Sequence, residues 1–224
     1  MMKRNATLIT SLSLFACLVH GAMLYTPFND YFHTSAVKFA LFMICPVIYL
    51  AISKDYRLKD LFFLTGNAKS IKYSFLFGVI VFIAVFIGFL IVRPWLDYSM
   101  IIGAMSNVGI TKENYIFIAL YYVVVNVALE ELFFRGFIFL TLYKIGYKYY
   151  AHIYSSLLFA IYHVAIMRYG VSPGLLLLST LGLIAVGLLF NEITRRCNNV
   201  IGSYAVHTCA SLAISIIGFH LMQQ

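Results

Sequence analysis

Apolar residues run along this chain in long blocks, separated by short stretches rich in charge, glycine or proline. A helix needs about 20 mostly apolar residues to cross a bilayer, and the blocks at 7–26, 36–53, 73–93, 115–142, 150–167, 174–193 and 200–221 have about that length. The pattern predicts an all-α polytopic membrane protein, a bundle of about seven transmembrane helices. The stretch 94–114 breaks it. Pro94, Asp97, Gly103, Asn107, Gly109 and Lys112 make it a loop or a short surface helix. It separates an N-terminal set of helices and loops, 1–114, from a C-terminal core, 115–224. Gly78, Gly88, Gly182 and Gly187 lie within spans, where a missing side chain permits close helix approach.

Composition agrees with lipid as the solvent. Of 224 residues, 62% are hydrophobic and only 11% charged, against about 25% charged in a soluble domain. The net charge of +8 suggests nucleic acid at first sight, but the basic residues lie between apolar blocks rather than on one face. With the N-terminus in the cytoplasm, the inner segments hold Lys3, Arg4, Lys54, Arg57, Lys59, Lys69, Lys72, Lys144, Lys148, Arg195 and Arg196. The outer ones hold Lys38, Arg93, Lys112 and Arg168. Eleven against four is a positive-inside bias. Topology therefore accounts for the charge without nucleic acid, and an odd number of spans puts the C-terminus outside.

Tyr143, Tyr147, Tyr149 and Tyr150 cluster at one inner boundary as an interfacial belt. The four cysteines, Cys17, Cys45, Cys197 and Cys209, form no CxxC pair, so neither a disulfide framework nor a thiolate zinc site is indicated. Leu14-Phe15-Ala16-Cys17 faintly resembles a lipoprotein cleavage box. Phe15 fits that box poorly, and the apolar run continues to Tyr25, so a retained first helix is expected.

Within the fourth block sits Glu130-Glu131-Leu-Phe-Phe-Arg135. An ionisable residue at the centre of a span costs roughly 2.5–3.5 kcal/mol on insertion scales, so three in six positions need partners, water or a task. Glu131 and Arg135 are four apart and share a helix face. Glu130 points about 100° away, toward a cavity where it suits a general base. The competing reading is an ion-pair cluster that only fixes helix packing.

His163 and His207 lie in later apolar blocks. Counted from the inner ends, Glu130 and His163 are each roughly 20 Å deep and His207 roughly 10–12 Å. Tilt can close that gap. Glu, His and His can ligate zinc, or can arrange a water for attack on a carbonyl without metal. His20 and His33 fall near the outer surface, His152 at an inner helix end and His220 near the C-terminus, all outside the expected site. No HExxH, GxSxG or phosphate-binding glycine loop is present.

Glu130-Glu131-x3-Arg135, Phe159-x3-His163 and His207-x3-Ser211, in that order on successive blocks, resemble the CPBP family. This is the group of CAAX proteases and bacteriocin-processing enzymes, also called Abi intramembrane peptidases. The resemblance covers about 115–215, with Gly182, Gly187 and the Asn198-Asn199 turn also matching its pattern. It implies a helical bundle with an intramembrane catalytic cavity. The short chain, with few extensions beyond the bundle, looks more bacterial than eukaryotic, so a multi-pass protein of a bacterial plasma membrane is expected. Carried over, Glu130 would activate the hydrolytic water with His163 assisting, Glu131 and Arg135 would orient Glu130, and His207 would polarise the scissile carbonyl or stabilise the oxyanion. Zinc held by Glu130, His163 and His207 is one form of this chemistry; a Glu/His mechanism without metal is the other.

One position departs. The family usually has Asn or Asp four residues after the last histidine, and here it is Ser211. A hydroxyl donates one hydrogen bond but is a poorer metal ligand.

The resulting expectation is an intramembrane endopeptidase acting on a membrane-associated peptide or protein of CAAX, pheromone or bacteriocin type, with lipid around it. A non-enzymatic immunity or scaffold protein using the same cavity is the alternative that Ser211 favours. A transporter relaying protons through the acids would favour internal repeats, and no convincing repeat is found.

Overall fold

The computed structural model describes residues 2–53, 68–167 and 172–223. Lys54, Arg57, Lys59 and Arg168, counted above for orientation, lie outside the described residues. Among those described there are helices and turns and no strand. In chain order they are α1 (Met2–Met23), α2 (Tyr31–Ser53), α3 (Ala68–Val92), a 3-10 turn (Arg93–Trp95), α4 (Tyr98–Asn107), α5 (Tyr115–Lys144), α6 (Lys148–Met167), α7 (Pro173–Cys197) and α8 (Ile201–Met222). Six of them are long and apolar enough to cross a membrane: α1, α2, α3, α5, α7 and α8. The chain is a multi-pass membrane protein.

The seventh expected span is present as a helix, α6, of 20 residues. Its sequence is less apolar because the first turns carry Lys148, Tyr149, Tyr150 and His152, followed by Ser155 and Ser156. Both serines are buried and used between helices: Ser155 donates to the Phe134 carbonyl at 3.0 Å, and Asn191 Nδ2 donates to Ser156 Oγ at 3.1 Å. The stretch after α3 is the short helix α4, started by Asp97, whose carboxylate accepts from the Met100 amide at 3.0 Å.

Helix α5 is the axis of the bundle. Every side chain from Phe133 to Leu142 is buried, whereas the other helices bury one face. Phe42 of α2 stacks on Phe133 with ring centroids 3.9 Å apart, and Tyr49 meets Phe137 at 5.6 Å. Helix α5 is not uniform. Two π-helical segments, Tyr121–Asn126 and Leu132–Leu140, flank the short α-helical piece Val127–Glu131 that carries both acids. Such wide turns are rare and occur mostly at functional positions. The outside of the bundle is apolar, as lipid requires: Ile80, Ile83, Ile87, Leu90 and Ile91 of α3 are all exposed.

The span glycines divide in two. A Cβ on Gly187 would lie 2.9 Å from the Ser156 backbone, and one on Gly78 would lie 2.9 Å from Cys209 Sγ. These are the close crossings of α7 on α6 and of α3 on α8. Gly88 and Gly182 have no atom within 4 Å of such a Cβ, so neither serves a close approach. The sequence names the glycine but not its neighbour. Gly187→Ala is expected to lower stability by about 1–3 kcal/mol through overpacking, while Gly182→Ala leaves it unchanged. Thermal unfolding of the two variants in one detergent checks the contrast; equal melting temperatures would contradict the α6–α7 crossing.

Candidate active site

The two acids part company as their spacing predicts. Glu131 is fully buried and its Oε1 lies 3.3 Å from Arg135 Nη1. The same oxygen accepts from His207 Nδ1 at 2.9 Å. Arg135 is fully buried too, with its guanidinium carbon 4.0 Å from the centre of the Phe159 ring and 5.0 Å from that of Phe190. Among the described residues its nitrogens meet no well-aligned hydrogen-bond acceptor. The ion pair and the aromatic faces hold the cation instead.

Glu130 points the other way and its two oxygens have different surroundings. Oε1 faces donors from three helices: Lys38 Nζ of α2 at 3.3 Å, Asn126 Nδ2 of α5 at 3.0 Å and the Tyr162 hydroxyl of α6 at 3.3 Å. Lys38 Nζ also donates to Asn126 Oδ1. Oε2 faces His163 Nε2 at 3.5 Å and His207 Nε2 at 3.9 Å. Ligand atoms of Glu130, His163 and His207 all lie within 4.8 Å of one another.

The imidazoles are oriented from behind. His163 Nδ1 lies 2.8 Å from the Phe159 carbonyl, and His207 Nδ1 lies against the Glu131 carboxylate. Both partners are acceptors, so each Nδ1 carries a proton and each ring turns Nε2 toward Glu130. Glu130 Oε2 and the two Nε2 atoms thus converge on one point. With both Nε2 atoms unprotonated the group suits a cation or a polarised water, and a proton on either Nε2 turns that ring into a donor.

The estimate of depth from helix counting left His207 short of the other two. The structure brings all three together. Asn198, exposed and in a left-handed conformation (φ 52°), ends α7, and Asn199 and Val200 behind it are buried where α8 begins. Ser211, one turn beyond His207, is buried and lines the same cavity beside Tyr122.

That cavity has a volume of about 540 Å³. Lys38, Asn126, Glu130, His163, His207 and Ser211 form its polar side, and Val81, Val85, Leu183, Val186, Leu189 and Ile214 its apolar wall. Two expectations need correction here. Lys38 is not an outer-loop charge but a buried member of the site, because α2 starts at Tyr31, earlier than the apolar block suggests. His20 is not peripheral: it is buried, lines the cavity and lies 5.2 Å from the Tyr162 ring. Asn126 and Tyr162 were also missed, although Asn126 stands four residues before Glu130 and Tyr162 beside His163. His33 pairs with Asp30 at 2.6 Å on the surface, and His152 bonds the Lys148 carbonyl at 2.9 Å, both away from the cavity.

The fold and this site define a class: a polytopic membrane protein with a buried acid–histidine centre. Residues 112–213 match the family model described as "Type II CAAX prenyl endopeptidase Rce1-like". The match spans just under half of the chain and takes in all six candidate site residues, Glu130, Glu131, Arg135, His163, His207 and Ser211; over this segment the chain is similar to the CAAX-protease type of intramembrane peptidase. No curated protein and no solved structure matches the chain significantly.

Breaking one partner of a buried ion pair costs about 3–5 kcal/mol, because the other charge stays buried. Arg135→Met is therefore expected to destabilise the protein by that amount, and Glu131→Gln/Arg135→Met by clearly less than the sum of the single changes. Strictly additive losses in chemical denaturation would mean that the pair is not a unit.

Proposed function

We propose that this protein is an intramembrane endopeptidase that hydrolyses a membrane-associated peptide or protein with water activated by Glu130. The observation that carries the reading is the convergence of Glu130 Oε2 with the Nε2 atoms of His163 and His207 inside a cavity with one apolar wall. An apolar wall suits a lipid-soluble segment, and the polar side meets its peptide bond. The family match supports the same class of reaction.

In this mechanism Glu130 Oε2 accepts a proton from the water while His163 Nε2 accepts its second hydrogen bond and fixes its direction. The water oxygen bonds to the scissile carbonyl carbon as the C=O π pair moves onto oxygen. His207, protonated on both nitrogens and braced by Glu131, donates from Nε2 to that oxyanion. Ser211 adds a hydroxyl donor from the same helix face. Glu130 then returns its proton to the leaving amine as the C–N bond breaks. Arg135 holds Glu131, and through it the ring of His207.

The same three side chains fit a divalent ion such as zinc. Two imidazole nitrogens and a carboxylate oxygen are a known catalytic donor set, and the backing of each Nδ1 by an acceptor is the arrangement that orients metal-binding histidines. A bound ion would supply Lewis-acid activation of water, with Glu130, His163 and His207 as its holders.

The catalytic core in this reading is 115–224, and 1–114 contributes walls, with Lys38 and His20 reaching into the cavity. The N-terminus is assigned to the cytoplasmic side of a bacterial plasma membrane. Candidate substrates are CAAX-type, pheromone-like or bacteriocin-like peptides. The presence of Ser211 where the family carries Asn or Asp keeps one other reading open to test: a non-enzymatic immunity or scaffold protein that binds a partner in this cavity.

Purified protein is to be offered a panel of tagged membrane peptides in detergent. Wild type is expected to cut at least one, and Glu130→Ala to lose about 10²–10⁴-fold in rate. Equal rates from wild type and Glu130→Ala would falsify the mechanism; no cleavage by folded wild type across the panel would favour the binding reading. A chelator added to the active protein separates the two forms of the chemistry. Loss of activity restored by zinc assigns the ion, and unchanged activity assigns the Glu/His form.

A further inference from the structure

The proposed mechanism uses Oε2 of Glu130 and leaves the other oxygen unexplained. Oε1 is met by Lys38, Asn126 and Tyr162, contributed by α2, α5 and α6. Lys38 and Asn126 are also bonded to each other, which ties the donors into one cage. The ammonium lies 5.7 Å from the centre of the Tyr162 ring, so the third member packs against the first. All of these groups are buried: Lys38 is 6% exposed, Asn126 2%, Glu130 3% and Tyr162 3%.

A carboxylate with two equivalent free oxygens can rotate and present either one to a water. Here three donors hold one oxygen position, so tilting the carboxylate away breaks their hydrogen bonds, and a half-turn only exchanges its two equivalent oxygens. The cage therefore holds the carboxylate plane and reserves the lone pairs of Oε2 for the face shared with His163 and His207. Among the described residues Lys38 is the one lysine or arginine within ion-pair distance of Glu130, since Arg135 is taken by Glu131. It is also the contribution that comes from outside the matched segment 112–213.

We propose that Lys38 is a positioning residue for Glu130: with Asn126 and Tyr162 it clamps Oε1 and thereby aims Oε2 at the reacting water. The role rests on the endopeptidase reading above. Lys38 does not itself touch the point where the histidines converge. Its removal should change how well the base is aimed rather than how tightly the peptide binds.

The test uses full-length protein in detergent and the peptide cut best by wild type. Lys38→Met is expected to lower kcat about 100-fold, the scale of a misplacement of about 1 Å, with KM within about twofold. A lysine that only stapled α2 to α5 would reduce the folded fraction and leave kcat per folded molecule unchanged. That result would overturn the proposal while the protease reading stood.

A second measurement needs no substrate. The carboxylate stretching bands of Glu130, isolated as the infrared difference between wild type and Glu130→Gln, should shift in Lys38→Met because Oε1 loses a charged donor. Unshifted bands overturn the proposal even if no peptide in the panel is cut, an outcome that would sink the endopeptidase reading separately. If Lys38→Met does not fold, Lys38→Gln, which keeps a donor without the charge, is read by the same two measurements.

Discussion

The arrangement depends on charge compensation in a medium that cannot solvate charge. A carboxylate buried among apolar helices is tolerable only where opposite charge and hydrogen bonds surround it. This protein buries two carboxylates side by side, and each has its own cation. Arg135, from the same helix, serves Glu131; Lys38, from α2, serves Glu130. The pairs point in different directions because consecutive residues on a helix do. That divergence leaves the two histidines to bridge them, with His207 touching both acids and His163 only Glu130.

Helix positions follow from this need. Helix α5 must sit at the centre so that partners can approach from several sides, and its run of buried phenylalanines packs the C-terminal half around Arg135. Tyr122, Asn126 and Glu130, in its N-terminal part and middle, face the cavity. Close crossings at Gly187 and Gly78 draw α7 against α6 and α3 against α8, bringing the histidine-bearing helices into register with α5. Polar residues elsewhere in the bundle act in the same economy. Ser155, Ser156 and Asn191 bond one another or backbone carbonyls between helices.

Much of this was legible in the chain. The apolar blocks marked the helices, and Glu130, Glu131, Arg135, His163 and His207 stood out because an ionisable residue in an apolar run is rare. Lys38 was hidden by its position. Thr34 and Ser35 made the start of α2 resemble a loop, and a lysine near a span end reads as a topology signal. His20 was hidden for the same reason at the end of α1. The π-helical segments left no mark, since periodicity arguments assume a constant 3.6 residues per turn. The meeting of His207 with Glu130 and His163 depended on how α8 packs against α5, and no count of residues from an assumed membrane surface reveals that. Whether a span glycine matters depended on what stands opposite, which is tertiary information.

Phe159 and Phe190 both lie against Arg135, and they also flank the histidines: Phe159 is 4.2 Å from the His163 ring and Phe190 is 5.2 Å from that of His207. One pair of rings thus packs on the cation of the Glu131–Arg135 pair and borders the imidazoles that face Glu130. Selection acting on either ring cannot separate durability from aim. A substitution that reshapes this aromatic wall also uncovers a buried guanidinium. The evolutionary freedom of the site is therefore displaced to Val81, Val85, Leu183 and Val186, apolar side chains that line the cavity and can form no ion pair or hydrogen bond with the charge network.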